Sequence, residues 1–165
     1  MEPALIRLVD DLLDAAAQRR RFDLIGEFAS AIPVEVIGNL LDVPHDERAP
    51  LRDWSLAILG ALEPSLSGDA QFERGNRAVS EFVDYLRGLV ARRRREPGDP
   101  QHDVLTRLIQ GEGPHDQLSE AELLQNCIFI LNAGHETTTN LIGNGLVTLS
   151  QWPDERAALL REPPS

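Results

Sequence analysis

The chain has 165 residues, 42% of them hydrophobic, and its 27 acidic against 16 basic residues give a formal net charge of -11. That length and apolar content suit one globular domain with its own core and exclude a disordered chain. The lone cysteine, Cys127, excludes an intrachain disulfide scaffold, the acidic balance disfavours nucleic acid as the main partner, and no uninterrupted apolar run reaches the roughly 18 residues of a membrane span. The N-terminus lacks the basic-then-apolar layout of a signal peptide, so the expected compartment is the cytoplasm. Every basic residue is arginine, which reads as a genome-composition habit.

The apolar pattern is helical almost throughout. Over about 3–20, Leu5, Leu8, Leu12, Ala15 and Ala16 recur at three- and four-residue steps, the spacing of one helix face, and Pro3 suits a first turn. Pro33 begins a second predicted helix, in which Val34, Ile37, Leu40 and Leu41 repeat before Pro44 ends it. A third is predicted over about 47–62, followed by a loop at Ser65, Ser67, Gly68 and Asp69. A long helix over about 71–95 follows, with a stripe of Phe72, Val79, Phe82, Val83, Leu86, Leu89 and Val90. Arg92, Arg93, Arg94 and Arg95 crowd its last turn, where cations suit the helix dipole. A solvated helix end is the expected reading of that run, and a phosphate site the minor one. Residues 96–100 break the pattern, a short helix is predicted over 103–110, and residues 111–116 break it again. No segment shows sustained two-residue alternation, so the expected fold class is all-α with little or no sheet.

The last long helix carries the chemistry. Ser119-Glu120-Ala121-Glu122 has the capping-box form, and no proline follows until Pro153, which predicts a helix over about 119–151. Such a helix is about 50 Å long and is expected to cross a core. On a helical wheel one face holds Asn126, Phe129, Ile130, Ala133, Glu136, Thr137, Asn140 and Asn144. The opposite face holds Leu124, Ile128, Leu131, His135, Thr138, Ile142, Leu146 and Leu149, mainly core material. Gly134 lowers helix propensity by about 1 kcal/mol relative to alanine, and Thr137, Thr138 and Thr139 are poor formers as well. Thr137 can bond the Ala133 carbonyl, a contact that bends or opens a helix. A capped, apolar helix with a weak polar middle breaks local rules where function tends to sit. On these grounds alone, a polar seam against solvent or another helix stays open.

The order of those residues narrows the choice. Ala133-Gly134-His135-Glu136-Thr137-Thr138 resembles the oxygen-activation motif of the cytochrome P-450 family, the haem-thiolate monooxygenases: a small residue, glycine, any residue, an acid, threonine and a second hydroxyl residue. Phe22-Asp23-Leu24, Phe28-Ala29, Ile32-Pro33, Val36-Ile37, Leu40-Leu41 and Val43-Pro44 resemble the segment before the substrate-lid helices of its bacterial, soluble members. Asp103-Val104-Leu105 with Leu108-Ile109 resembles the short helix before the central one, and Trp152-Pro153, Leu159-Leu160 and Pro163-Pro164-Ser165 the helix after it. Asp42 stands where the family usually has glycine.

The resemblance implies an iron-containing b-type haem, dioxygen and a small organic substrate. It also implies electrons from NAD(P)H through a ferredoxin-type or flavoprotein donor, an intact enzyme that is monomeric, and no nucleic-acid or membrane partner. It assigns Thr137 to hydrogen-bond dioxygen and Glu136 to help relay protons. Ile130, Ala133, Gly134, Thr137 and Thr138 would line the haem, Phe129, Asn132 and Ala133 the substrate, and residues 56–66 with parts of the long helix the substrate lid. No metal ligand is expected in this chain. The family's haem-ligating cysteine lies in a glycine-rich loop that this sequence does not contain, and Cys127 reads as a packing residue. The family's Glu-x-x-Arg pair, N-terminal sheet and haem-propionate partners are also missing. The expectation is an internal segment, about two-fifths of a full enzyme, that by itself binds haem weakly at most and does not oxygenate.

Other readings fall short on the residues. His135-Glu136 is similar to the start of a zinc-protease helix, but that pattern needs histidine at position 139, where Thr139 stands. His45, His102 and His115 sit in polar loops or helix starts with no ligand spacing. Trp54 and Trp152 read as core or interface anchors. The competing class is a non-catalytic, all-helical module that binds an apolar ligand or a partner helix.

Overall fold

A computed structural model describes residues 2–63, 68–101, 103–111 and 118–162. Among these are seven α-helices and no strand: α1 Glu2–Ala17, α2 Ala31–Leu40, α3 Ala49–Leu62, α4 Asp69–Arg95, α5 Val104–Gln110, α6 Glu120–Gln151 and α7 Pro153–Arg161. A π-helical turn occupies Leu24–Ala29 and a 3₁₀ turn His45–Glu47. The all-α class is as predicted, with helix ends moved by a few residues. Pro33 is the third residue of α2, not the first. The π-helical turn had no counterpart in the sequence pattern. Ser65, Leu66, Ser67, His102, His115, Asp116 and Pro163-Pro164-Ser165 lie outside the described residues.

The chain divides into two compact units, residues 33–136 and residues 1–32 with 137–165. The helix α6 runs through both. In the first unit Leu51, Phe82, Leu86, Leu89, Leu105, Leu123, Cys127 and Leu131 form a closed apolar core. The three- and four-residue steps from Ala78 to Phe82, Leu86, Leu89 and Val90 put one face of α4 into it. Burying a side chain the size of Phe82 contributes about 3 kcal/mol. Gly75 lets α4 approach α3, since a Cβ there would overlap the Ala61 methyl. Trp54 lies over Phe82 with ring centroids 5.0 Å apart, and its Nε1 donates to Glu81 at 3.0 Å. It is therefore an anchor between α3 and α4.

The end of α2 shows why an aspartate can replace a glycine. Asp42 adopts φ 49°, the left-handed conformation that usually calls for glycine. Val43 N–H donates to the Gly38 carbonyl at 2.8 Å and Asp42 N–H to the Asn39 carbonyl at 3.2 Å, closing the helix end. The buried Arg48 then donates to the Val43 carbonyl and to Asn39 Oδ1, each at 2.9 Å, and pairs with Glu35. Gly38 makes room for it: a Cβ there would sit 2.6 Å from Arg48 Nε.

The arginine run at the end of α4 is a mostly solvated helix end, as expected: Arg92, Arg94 and Arg95 are exposed, and the fold also brings acids to three of the four. Arg92 pairs with Glu47 at 2.6 Å, Arg93 with Asp42 and, at 3.2 Å, with Asp103, and Arg94 lies 3.4 Å from Glu120. Tyr85 also donates to Glu47, at 2.7 Å. That bond, aided by Arg92, holds the Glu47 carboxyl below the usual carboxylate range. Three of the four arginines thus face carboxylates of this chain, which does not favour a phosphate site there.

In the second unit the π-helical turn is capped by Asp23, whose carboxylate accepts from Ile25 N–H at 3.0 Å. Gly143 of α6 admits Ile25, which would meet a Cβ there at 2.5 Å. Ala16, Ala29, Ser30, Thr139 and Gly143 are buried in this unit.

Candidate functional site on the central helix

The capping box forms as the sequence predicts. Ser119 N–H and Oγ donate to Glu122 at 2.8 and 2.7 Å, and Glu122 N–H returns a bond to Ser119 Oγ at 3.3 Å. From there α6 is α-helical without interruption to Gln151, and the weak stretch at Gly134 and the threonines does not break it. Neighbours hold the weak stretch. A Cβ on Gly134 would stand 3.0 Å from Ile37 Cδ1, so the glycine lets α2 pack closely. One residue on, His135 is 1% exposed, and its Nδ1 meets Ser55 Oγ of α3 at 3.1 Å. Burial, then Arg52, pushes the imidazole below its ordinary value, so it is neutral at pH 7. Tertiary packing overrides local propensity here.

The two wheel faces separate as expected through the middle of the helix. Leu124, Cys127, Leu131 and His135 are buried, whereas Asn126, Phe129, Ala133, Thr137, Asn140 and Asn144 are exposed. Phe129 is 70% and Leu141 73% exposed, so large apolar side chains flank the small and polar ones.

The residues singled out by sequence fall into two groups. Ala133, Thr137 and Phe129 lie on the exposed face, with Glu136 half-buried at its edge and Thr138 half-buried. Ile130 is half-buried and also touches the core of residues 33–136. Gly134 is turned toward Ile37. Asn132 is half-buried: its Nδ2 donates to the Ile128 carbonyl at 3.0 Å, and its Oδ1 is sealed from solvent with no donor among the described residues. Ser55 was not singled out, and nothing local could have done so, since it lies 80 residues from its partner His135.

The open face can be tested against a flat apolar cofactor. Ala133 offers no bulk, Phe129 supplies apolar contact, and Thr137 supplies a hydroxyl, which suits one side of a macrocycle. Among the described residues no accessible thiol is offered to iron. Cys127 lies on the opposite face, fully buried, and desolvation pushes its thiol up to about 12. Among the described residues no group of three or more His, Cys, Asp or Glu could hold a metal ion. No described helix is long and apolar enough to cross a membrane.

Comparison with known proteins decides the family. The cytochrome P450 family profile matches residues 61–163. The chain belongs to the cytochrome P450 family. It is 39% identical over 163 residues to cytochrome P450 107B1 of Saccharopolyspora erythraea, an alignment covering 99% of this chain and 38% of that protein. A myxobacterial cytochrome P450 solved with myristic acid superposes with a TM-score of 0.85 at 38% identity, over 98% of this chain and 38% of that one. P450BioI, solved with an acyl carrier protein carrying hexadec-9Z-enoic acid, superposes with a TM-score of 0.88 at 29% identity, over 98% and 40%. The chain thus spans about two-fifths of the length of the P450s it matches. The resemblance read from residues 133–138 and their flanks identified the family, and the haem-iron cofactor is a property of that family.

Proposed function

We propose that this chain supplies the oxygen-facing side of a haem monooxygenase that inserts one oxygen atom into a small organic substrate. The observation that carries this is an uncovered face on α6, where Phe129, Ala133 and Thr137 are exposed beside Glu136 and opposite the buried Leu131 and His135. When bound, the haem supplies reductive activation of dioxygen, with electrons originating in NAD(P)H and delivered by a ferredoxin-type or flavoprotein donor. Ala133, Ile130 and Thr138 would lie along the haem, with Gly134 keeping α2 close behind them. Phe129 and Ala133 would meet the substrate, and Asn132 stands one residue from them. Residues 56–63 and parts of α4 belong to the substrate lid.

The chain's own chemical work is proton delivery. Glu136 sits where a carboxyl can take a proton from solvent, and Thr137 follows it at the next helix position. The Glu136 carboxyl passes that proton to Thr137 Oγ1, which donates its own toward dioxygen and is restored from the carboxyl. Such acid assistance is worth about 10²–10⁴ in rate. The residues of this chain provide no thiolate for iron, so oxygenation belongs to the full-length enzyme.

The test measures product formed per oxygen consumed by the full-length, haem-loaded enzyme, with myristic acid as the first probe. Thr137→Ala and Glu136→Gln are expected to lower that ratio at least tenfold while oxygen is still consumed. Unchanged ratios in both would remove the relay, and a full-length protein that binds no haem and forms no product would favour the non-catalytic helical module.

A further inference from the structure

Two buried polar side chains have no part in the proton relay. Ser55 of α3 is 0% and His135 of α6 1% exposed, and Ser55 Oγ lies 3.1 Å from His135 Nδ1. A serine hydroxyl reaches little beyond its own Cβ, so this bond forms at one separation of the two helices. A slight parting of α3 from α6 breaks it before water can enter, and a buried polar group left in that state is costly. The pair therefore favours one discrete seating of α3 on α6.

What α3 carries with it is α4. Trp54 stacks on Phe82 and donates to Glu81, and Gly75 admits the Ala61 methyl, so the two helices pack as one pair. That pair meets α6 again at its first turn, where Arg94 lies 3.4 Å from Glu120. Both of those side chains are exposed, and such contacts hold little. From Glu120 to His135 is about 22 Å along the helix axis, so the buried bond ties the pair at a second, distant point. Its place in the sequence matters on both helices. Ser55 directly precedes Leu56, where the residues assigned to the substrate lid begin, and His135 stands between Ala133 and Thr137 on the chain but on the opposite, closed face. We infer that Ser55 and His135 form a latch that seats the substrate lid on α6, making both positioning residues that govern how fast ligands enter and leave the haem pocket. This rests on the reading above that residues 56–63 cover that pocket. Neither side chain touches the ligand; both act through the position of α3.

The experiment follows phenylimidazole, whose ring nitrogen binds haem iron whatever the natural substrate, by stopped-flow absorbance in the full-length, haem-loaded enzyme. Ser55→Ala removes the hydroxyl at nearly constant volume, and His135→Leu removes the ring nitrogen. Association and dissociation rates should both rise about fivefold in each variant, with their ratio nearly unchanged, because unseating becomes easier while the bound contacts stay the same. The double variant should be no faster than either single one, since the two substitutions remove one bond. His135→Asn places an amide where Nδ1 stands and should return both rates toward wild type. Ser119→Ala, which weakens the start of α6, should lower the thermal midpoint without changing either rate, which separates the latch from general loosening. Wild-type rates in Ser55→Ala, additive effects in the double variant, or an equal rise in Ser119→Ala would overturn the latch alone. A wild-type enzyme whose haem takes up no phenylimidazole would instead overturn the reading beneath it, and the latch with it.

Discussion

The two sides of α6 differ in what completes them. On one side Cys127, Leu131 and His135 are buried against α3 and the core, and the sole histidine there has its ring nitrogen bonded to Ser55. On the other side Asn126, Phe129, Ala133, Thr137 and Asn140 stand open, and among them the bare phenylalanine is what packing alone would not leave in such a row. The lesson is that the weak helix-forming residues, Gly134 and Thr137 to Thr139, are spread over both faces, whereas the breach of burial is confined to one. Packing on the closed side holds the stretch, and the open side carries the residues proposed for proton delivery.

The comparison can be broken at its extremes. The largest effect is all-or-none: the 165-residue chain mixed with reduced haem and carbon monoxide should give no thiolate-type Soret band. Its one thiol is fully buried, with burial holding it in the protonated form. Such a band would mean that the closed side opens readily. Next, Phe82→Ala should lower stability by about 3–5 kcal/mol in denaturant titration, whereas Phe129→Ala should change it by under about 0.5 kcal/mol. Similar losses from the two would erase the distinction between the faces.

A smaller effect concerns pH. His135 is held below its ordinary value of 6.5, so as pH falls past 6.5 the unfolded chain takes up a proton before the folded one does. Stability that is complete above pH 6.5 should therefore drain away as pH drops toward the folded value, and His135→Gln should flatten that slope. A slope unchanged by His135→Gln would show that other groups set it. Smallest of all, Ser119→Ala removes the hydroxyl of the capping box and should cost about 1 kcal/mol. No loss would mean that Glu122 bonding to the Ser119 backbone alone holds the start of α6.

Much of this was legible in the sequence for identifiable reasons. Helix extents follow from three- and four-residue apolar steps, and the start of α6 from Ser119 and Glu122, because both signals are local. Cys127 could be read as packing because it falls among the apolar residues of one helix. The order of residues 133–138 carried the family. What stayed hidden depends on long-range contact. Nothing near Arg93 announces Asp42, nothing near Gly134 announces Ile37, and nothing near His135 announces Ser55. The left-handed Asp42 was visible only as a departure from glycine, and its physical basis is a helix end closed by Val43 and Asp42 N–H groups. The sealed oxygen of Asn132 could not be seen in sequence at all, since burial of one atom depends on the whole packing arrangement.

The central claim is that the open face of α6 is built to lie against haem. The most direct test is a crystal structure of the full-length protein with haem bound. The account predicts that Ala133 and Thr137 lie in van der Waals contact with the haem pocket, that Phe129 borders the substrate space, and that Cys127 remains buried on the far side. A structure in which protein side chains cover Phe129, Ala133 and Thr137, with the haem elsewhere, would contradict it.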